Sequence, residues 1–132
     1  MNALLAAAGV VHLAMAAMNA FLPGRIDLHA NLARLSPLVR QMVIVHHVYI
    51  VIVVVGFAGL CLFYPAELAS GRGLGRALAT GMSLFWLSRI GIQLFVYDRD
   101  LRRKNRGIDV LVLAMVVFMA GALGLAALGG LR

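Results

Sequence analysis

Along the chain, apolar residues gather into four long runs separated by short polar stretches. The runs cover about residues 3–22, 38–64, 76–97 and 108–128, and each is long enough for an α-helix to cross a hydrocarbon core of about 30 Å. The second run contains an unbroken block of β-branched residues from Ile50 to Val55, which would favour a strand in water. In lipid, a helix satisfies its own main-chain hydrogen bonds and a lone strand cannot. All four runs are therefore expected to be helical.

The interruptions carry helix-ending and helix-starting chemistry. Pro23-Gly24 closes the first run, Ser36-Pro37 reads as an N-cap and first-turn proline for the second, and Pro65 stops the second. Between the first two runs, Leu28, Leu32 and Leu35 recur at i, i+4 and i+7, with His29, Asn31 and Arg34 on other sides. That spacing predicts a short amphipathic helix lying in the membrane interface. The turn at 66–75 holds Gly71, Gly73 and Gly75. Their G-x-G-x-G spacing, with no strand before it, is not a phosphate-binding loop. Ala14-Met15-Ala16 resembles a signal-peptidase site, but no Lys or Arg forms a basic region before it, so this segment is expected to remain as a membrane helix. The expected fold is all-α and integral to the membrane. It is a single four-transmembrane-helix bundle over 1–132, with a short interfacial helix between helices 1 and 2 and loops that make neighbouring helices mostly antiparallel.

Composition agrees with lipid as the main solvent. The chain has 132 residues, of which 63% are hydrophobic and 13% charged, against roughly 45–50% and about 25% in soluble domains. The net charge of +7 is not spread over a soluble face. Arg99, Arg102, Arg103, Lys104 and Arg106 fall in one connector, and Arg25, Arg34 and Arg40 lie around the other connector on that side. The opposite side carries Arg72, Arg76 and Arg132. This bias predicts that both basic connectors face the cytoplasm and both termini the periplasm of a bacterial inner membrane. It also removes the case for nucleic-acid binding, because no soluble domain presents the charge. Cys61 is the lone cysteine, so neither an intrachain disulfide nor a CxxC redox pair exists. Asp109, in the first turn of the fourth helix, is accounted for by the helix dipole.

Ionisable groups inside membrane helices are costly and default to functional candidates. His12, His46, His47 and Arg89 are the four here. Counted from the cytoplasmic helix ends at about 1.5 Å per residue, His12 lies roughly 15 Å deep, the histidine pair roughly 12–14 Å, and Arg89 about 13 Å. Three helices thus place their most polar groups in one layer. Ala8, Gly9, His12, Ala16 and Asn19 share a face whose small residues admit a close neighbour, which points His12 inward. Trp86, Arg89, Gln93 and Tyr97 form a stripe on the third helix, and Tyr49 shares the His46 face on the second. His46 and His47 lie about 100° apart, so only one can face the centre fully.

The candidate cofactor-binding set is His12, His46, His47, Tyr49, Trp86, Arg89 and Gln93, converging on a shared centre. A redox cofactor suits it: imidazoles can ligate haem b axially with Arg89 at a propionate, or donors can hold a quinone by its carbonyl oxygens. The expected role is cofactor holding for electron transfer, as a homo-oligomer or with other membrane subunits. The alternatives are a proton-coupled or small-anion transporter or channel and a non-catalytic accessory subunit of a membrane complex. A metal site is not expected, since no carboxylate or thiolate joins the histidines and Arg89 would repel a cation.

Overall fold

The computed structural model describes residues 1–25 and 27–130, with the backbone alone described at Leu22, Arg25 and Leu101. Arg132, counted above on the outer side, lies outside the described residues. In chain order the elements are α1 (Asn2–Arg25), α2 (Leu28–Leu32), α3 (Pro37–Phe63), α4 (Pro65–Leu68), α5 (Gly73–Gly91) continuing into a π-helical segment (Ile92–Val96), α6 (Arg99–Lys104) and α7 (Arg106–Ala127). Every regular element among the described residues is helical. Four stretches are long and apolar enough to cross a membrane: Asn2–Phe21, Pro37–Phe63, Gly73–Val96 and Arg106–Ala127.

The helix ends depart from expectation in instructive ways. α1 runs through Pro23 to Arg25 instead of stopping before it. The proline forgoes one main-chain hydrogen bond, but only two helical residues follow it, so little is lost. Ser36 does occupy the N-cap of α3 with Pro37 behind it, yet its hydroxyl makes no capping bond. The interfacial stripe shrinks to the five-residue α2, where Leu32 is buried and Leu35 is exposed. The 66–75 turn contains most of the one-turn α4, which anchors itself through buried Leu68. Gly71 and Gly73 then take left-handed φ values of 66° and 50°, and a Cβ on Gly75 would collide with the Glu67 carbonyl. The basic connector also contains a helix, α6.

α1 packs along α3, α5 along α7, and α1 against α7 joins the two pairs. The α1–α3 fit depends on Gly9, where a Cβ would come within 2.7 Å of the Leu62 side chain. Ser83 ties α5 to α7 by donating to the Ala120 carbonyl at 2.8 Å. Leu5, Ala8, Ala58, Cys61, Ala79, Met82, Met119, Leu123 and Ala126 are all buried in the half remote from the basic connectors. The basic half is packed differently. From residue 37 to residue 50 of α3, every side chain but His47 is exposed. Across the gap between α3 and α5, Phe57 meets Phe85 edge to face at 5.3 Å, and below that contact the two helices part.

Candidate functional site

Where α3 and α5 part, a cavity of about 730 Å³ opens, within the range of small-molecule sites. Met15, Met18 and Asn19 of α1 line it, with Ile50 and Val54 of α3, Phe85, Trp86 and Arg89 of α5, and Gln93 of the π segment. Tyr97, Asp98, Arg102, Asn105, Ile108, Asp109 and Val112 complete the wall. Val54 and Trp86 are buried, whereas Ile50, Tyr97 and Ile108 are exposed. The cavity is thus closed by buried side chains in mid-helix and bordered by exposed ones at Ile50, Tyr97 and Ile108.

The π segment shapes the wall. The Tyr97 N–H donates to the Ile92 carbonyl, a five-residue step that widens the last turn. The chain then leaves the helix extended at Tyr97, with φ −73° and ψ 138°. Its ring comes to lie beneath the Arg89 guanidinium, 5.0 Å from carbon to centroid, a cation–π contact. Gln93, 2% exposed, donates its Nε2 to both the main-chain carbonyl of Asp109 at 3.0 Å and its carboxylate Oδ1 at 2.9 Å. Arg102 of α6 grips the same carboxylate in a two-bond fork, Nε to Oδ1 and Nη2 to Oδ2, each 3.0 Å. Those bonds push the Arg102 pKa above its ordinary value. Asp109 thus joins the π segment, α6 and α7 in one polar hub.

At the floor, the Trp86 Nε1–H donates to His12 Nε2 at 2.9 Å. The indole can only donate, so His12 accepts there, and its proton must sit on Nδ1, 2.6 Å from the Ala8 carbonyl. His12 is therefore a neutral imidazole with both nitrogens engaged and no exposed surface. It stands edge to face with Trp86 and Phe57.

The structure brings part of the expected set together. Trp86, Arg89 and Gln93 line the cavity, and His12 backs it through Trp86. His46, His47 and Tyr49 do not line it. His46 is exposed and its Nδ1 is bonded to its own helix at the Met42 carbonyl, 2.7 Å away. His47 is half-buried, with Nε2 shielded and without a hydrogen-bond partner. Tyr49 is 64% exposed. The polar residues of α3 are scattered around its circumference, so its pattern does not fix which face turns inward. The residues missed by sequence reasoning are Asp109 and Arg102, whose pairing joins the short α6 to the first turn of α7. Asn19 also lines the cavity, and its position seven residues after His12 is the signal that marks it.

Among the described residues, two shielded atoms at this site have no hydrogen-bond partner: Arg89 Nη1, a donor, and Gln93 Oε1, an acceptor. Leaving such groups unpaired is costly, and both belong to residues that line the cavity. Both nitrogens of His12 are engaged, so it is not free to ligate iron, and His46 and His47 do not line the cavity. An amphipathic molecule with a hydrogen-bonding head does fit, with Met15, Met18, Val54, Phe85 and Val112 providing apolar wall. Comparison with protein-family models, curated proteins and solved structures finds no match to this chain.

Proposed function

We propose that the chain is a four-helix-bundle protein of the bacterial inner membrane that holds a lipid-soluble quinone in the cavity between α3 and α5. The observation that carries this reading is the cavity of about 730 Å³ itself, apolar towards Met15, Val54 and Phe85 and polar at Arg89 and Gln93. The exposed border at Ile50 would lie at bilayer depth, where such a molecule dissolves. Arg89 would donate to a head oxygen, Trp86 and Phe85 would offer ring faces, and the apolar wall would take the start of the tail. The bound group supplies reversible two-electron chemistry, which suits a holding or handover role in electron transfer. The protein's contribution is position and exclusion of water.

Trp86 is the lone tryptophan, so its emission reports on the site directly. A decyl-substituted benzoquinone is expected to quench it saturably in detergent, and Arg89→Gln is expected to weaken that quenching about tenfold or more. Quenching that rises linearly without saturation, equally in both proteins, would reject the reading. The orientation rests on the excess of Lys and Arg around 25–40 and 99–106. With Asn105→Cys, a membrane-impermeant thiol reagent should fail to label intact cells, and labelling from outside would reverse the orientation.

A further inference from the structure

We infer that the cavity takes single-chain amphiphiles with an acidic head, and holds them more tightly than neutral ones of the same length. This rests on the cavity and its charges, and not on a quinone as the occupant. Four charged side chains line the wall: Arg89, Asp98, Arg102 and Asp109. Three of them are engaged. Arg102 and Asp109 form a salt bridge at 3.0 Å. The Asp98 carboxylate accepts from the Asp100 N–H at 2.8 Å, at the start of α6. Arg89 joins no salt bridge among the described residues, and its guanidinium rests on the Tyr97 ring. A ring face attracts a cation but brings no net charge to neutralise it. Asp109 also feels Arg89, but its oxygens are already taken by Arg102 and Gln93. A cation left so within a membrane helix favours an anion beside it, and the attraction strengthens as water is excluded. It acts through space, so no single nitrogen of Arg89 has to touch the guest.

The order of residues along the wall sets which end of the guest goes where. On α5 and the π segment, Phe85 and Trp86, then Arg89, Gln93 and Tyr97 follow at about one-turn steps towards the basic end. Buried Val54 and Trp86 close the mid-helix end, where Phe85 adds apolar wall. Tyr97, Asp98 and Arg102 stand at the other end. A chain entering from the basic end therefore places its apolar part against Trp86 and leaves its head at the level of Arg89. A carboxylate or a phosphate there gains the charge interaction with Arg89. An alcohol of the same length gains a hydrogen bond at most.

The test uses a chain with bromine at its far end, because bromine quenches indole emission only near contact and Trp86 is the lone tryptophan. The intact protein in detergent is titrated with 11-bromoundecanoate or with 11-bromoundecanol, at about pH 8, where a carboxylic acid is ionised. Both should quench saturably, and the acid is expected to bind about tenfold or more tighter, the effect of a hydrogen bond to a charged group. Arg89→Gln is expected to bring the two within about twofold. In the same titration 11-bromoundecyl phosphate separates the two sources of such a head: a tighter carboxylate assigns a fatty acid, a tighter phosphate a phosphate-headed lipid. Equal affinity of acid and alcohol in the parent protein overturns the preference. A tenfold preference that survives in Arg89→Gln overturns the assignment to Arg89. If the decyl benzoquinone quenches saturably and the bromo acid does not, this inference falls and the quinone reading stands; the reverse result keeps this inference and removes the quinone. If neither saturates, both fall. The comparison in the parent protein decides the main point even where the variant fails to fold.

Discussion

The two halves of this molecule solve the problem of an interior by opposite means. Remote from the basic connectors, small residues let helices touch: Gly9 faces Leu62, Gly75 faces the Glu67 main chain, and Ser83 reaches the Ala120 carbonyl. For helices that lie in lipid, where no hydrophobic drive acts between them, such close packing is what would hold them together. Towards the basic end the helices are joined by long polar side chains, through Gln93, Asp109 and Arg102, and a cavity is left between α3 and α5. The Trp86–His12 bond and the Phe57–Phe85 contact mark the boundary. One half is closely packed, and the other leaves a cavity at the expense of contacts.

The largest expected effect lies in the packed half. Gly75→Ala sets a methyl group against the Glu67 main chain, which cannot yield as a side-chain tip would. We expect a loss of about 3 kcal/mol or more, seen as an aggregated or non-monodisperse product in detergent. A variant that purifies normally and melts at the parent temperature would show that close approach at this turn is not what holds α4 against α5.

The boundary comes next. Trp86→Phe keeps an aromatic ring edge to face with Phe85 but takes from His12 Nε2 the donor that satisfies it. The expected cost is about 1–3 kcal/mol, measured by denaturant or thermal unfolding. His12→Leu combined with Trp86→Phe should cost less than the two single changes summed, because the pair acts as a unit. Strict additivity would mean that the bond contributes no coupling and that only ring packing matters.

These residues also show what the sequence could and could not reveal. The four spans follow from hydropathy alone, since lipid leaves long apolar runs no other form. The Trp86, Arg89 and Gln93 stripe is legible because helical periodicity puts them on one face, and His12 because small residues flank it. Periodicity names a face but not its neighbour. On α3 it names neither, as residues 38–55 are apolar on every side apart from Arg40, Gln41, His46, His47 and Tyr49. The common depth of the histidines held no information about direction, and their convergence with His12 is not what the structure displays. Asp109 was hidden for a different reason. A first-turn acid satisfies the helix dipole by itself, so nothing in the sequence asks for the Arg102 fork or the Gln93 bond. The π segment, which frees Tyr97 to lie under Arg89, likewise has no hydropathy signature.

A smaller effect sharpens the comparison from the packed side. Ser83→Ala removes the hydroxyl bond to Ala120 but keeps the close fit of α5 on α7, where Gly124 lies beside it. Hydrogen bonds between membrane helices average about 0.6 kcal/mol, and a loss of that order is expected in unfolding experiments. A loss several times larger would mean that the packed half is held by polar bonds as much as by close approach, and the contrast between the halves would narrow.

The smallest effect is expected on the exposed stretch of α3, and it bears most directly on whether the open half is open in use. His46 bonds only within its own helix, and Tyr49 is largely exposed. His46→Ala and Tyr49→Ala should each change stability by less than about 0.5 kcal/mol and leave quinone quenching of Trp86 at the parent affinity. Both residues lie within one turn of Ile50, which does line the cavity, so the experiment is sensitive to a modest rotation or inward lean of α3. If either alanine variant weakened quenching while keeping parent stability, α3 would have to close over the guest and bring that side chain to it. The unpacked stretch from 37 to 50 would then be a moving wall, and the open cavity would describe the protein before the ligand arrives. If both variants bind as the parent does, recognition belongs to α5 and the π segment, with α1 and α7 behind them, and α3 contributes only the apolar edge at Ile50 and Val54.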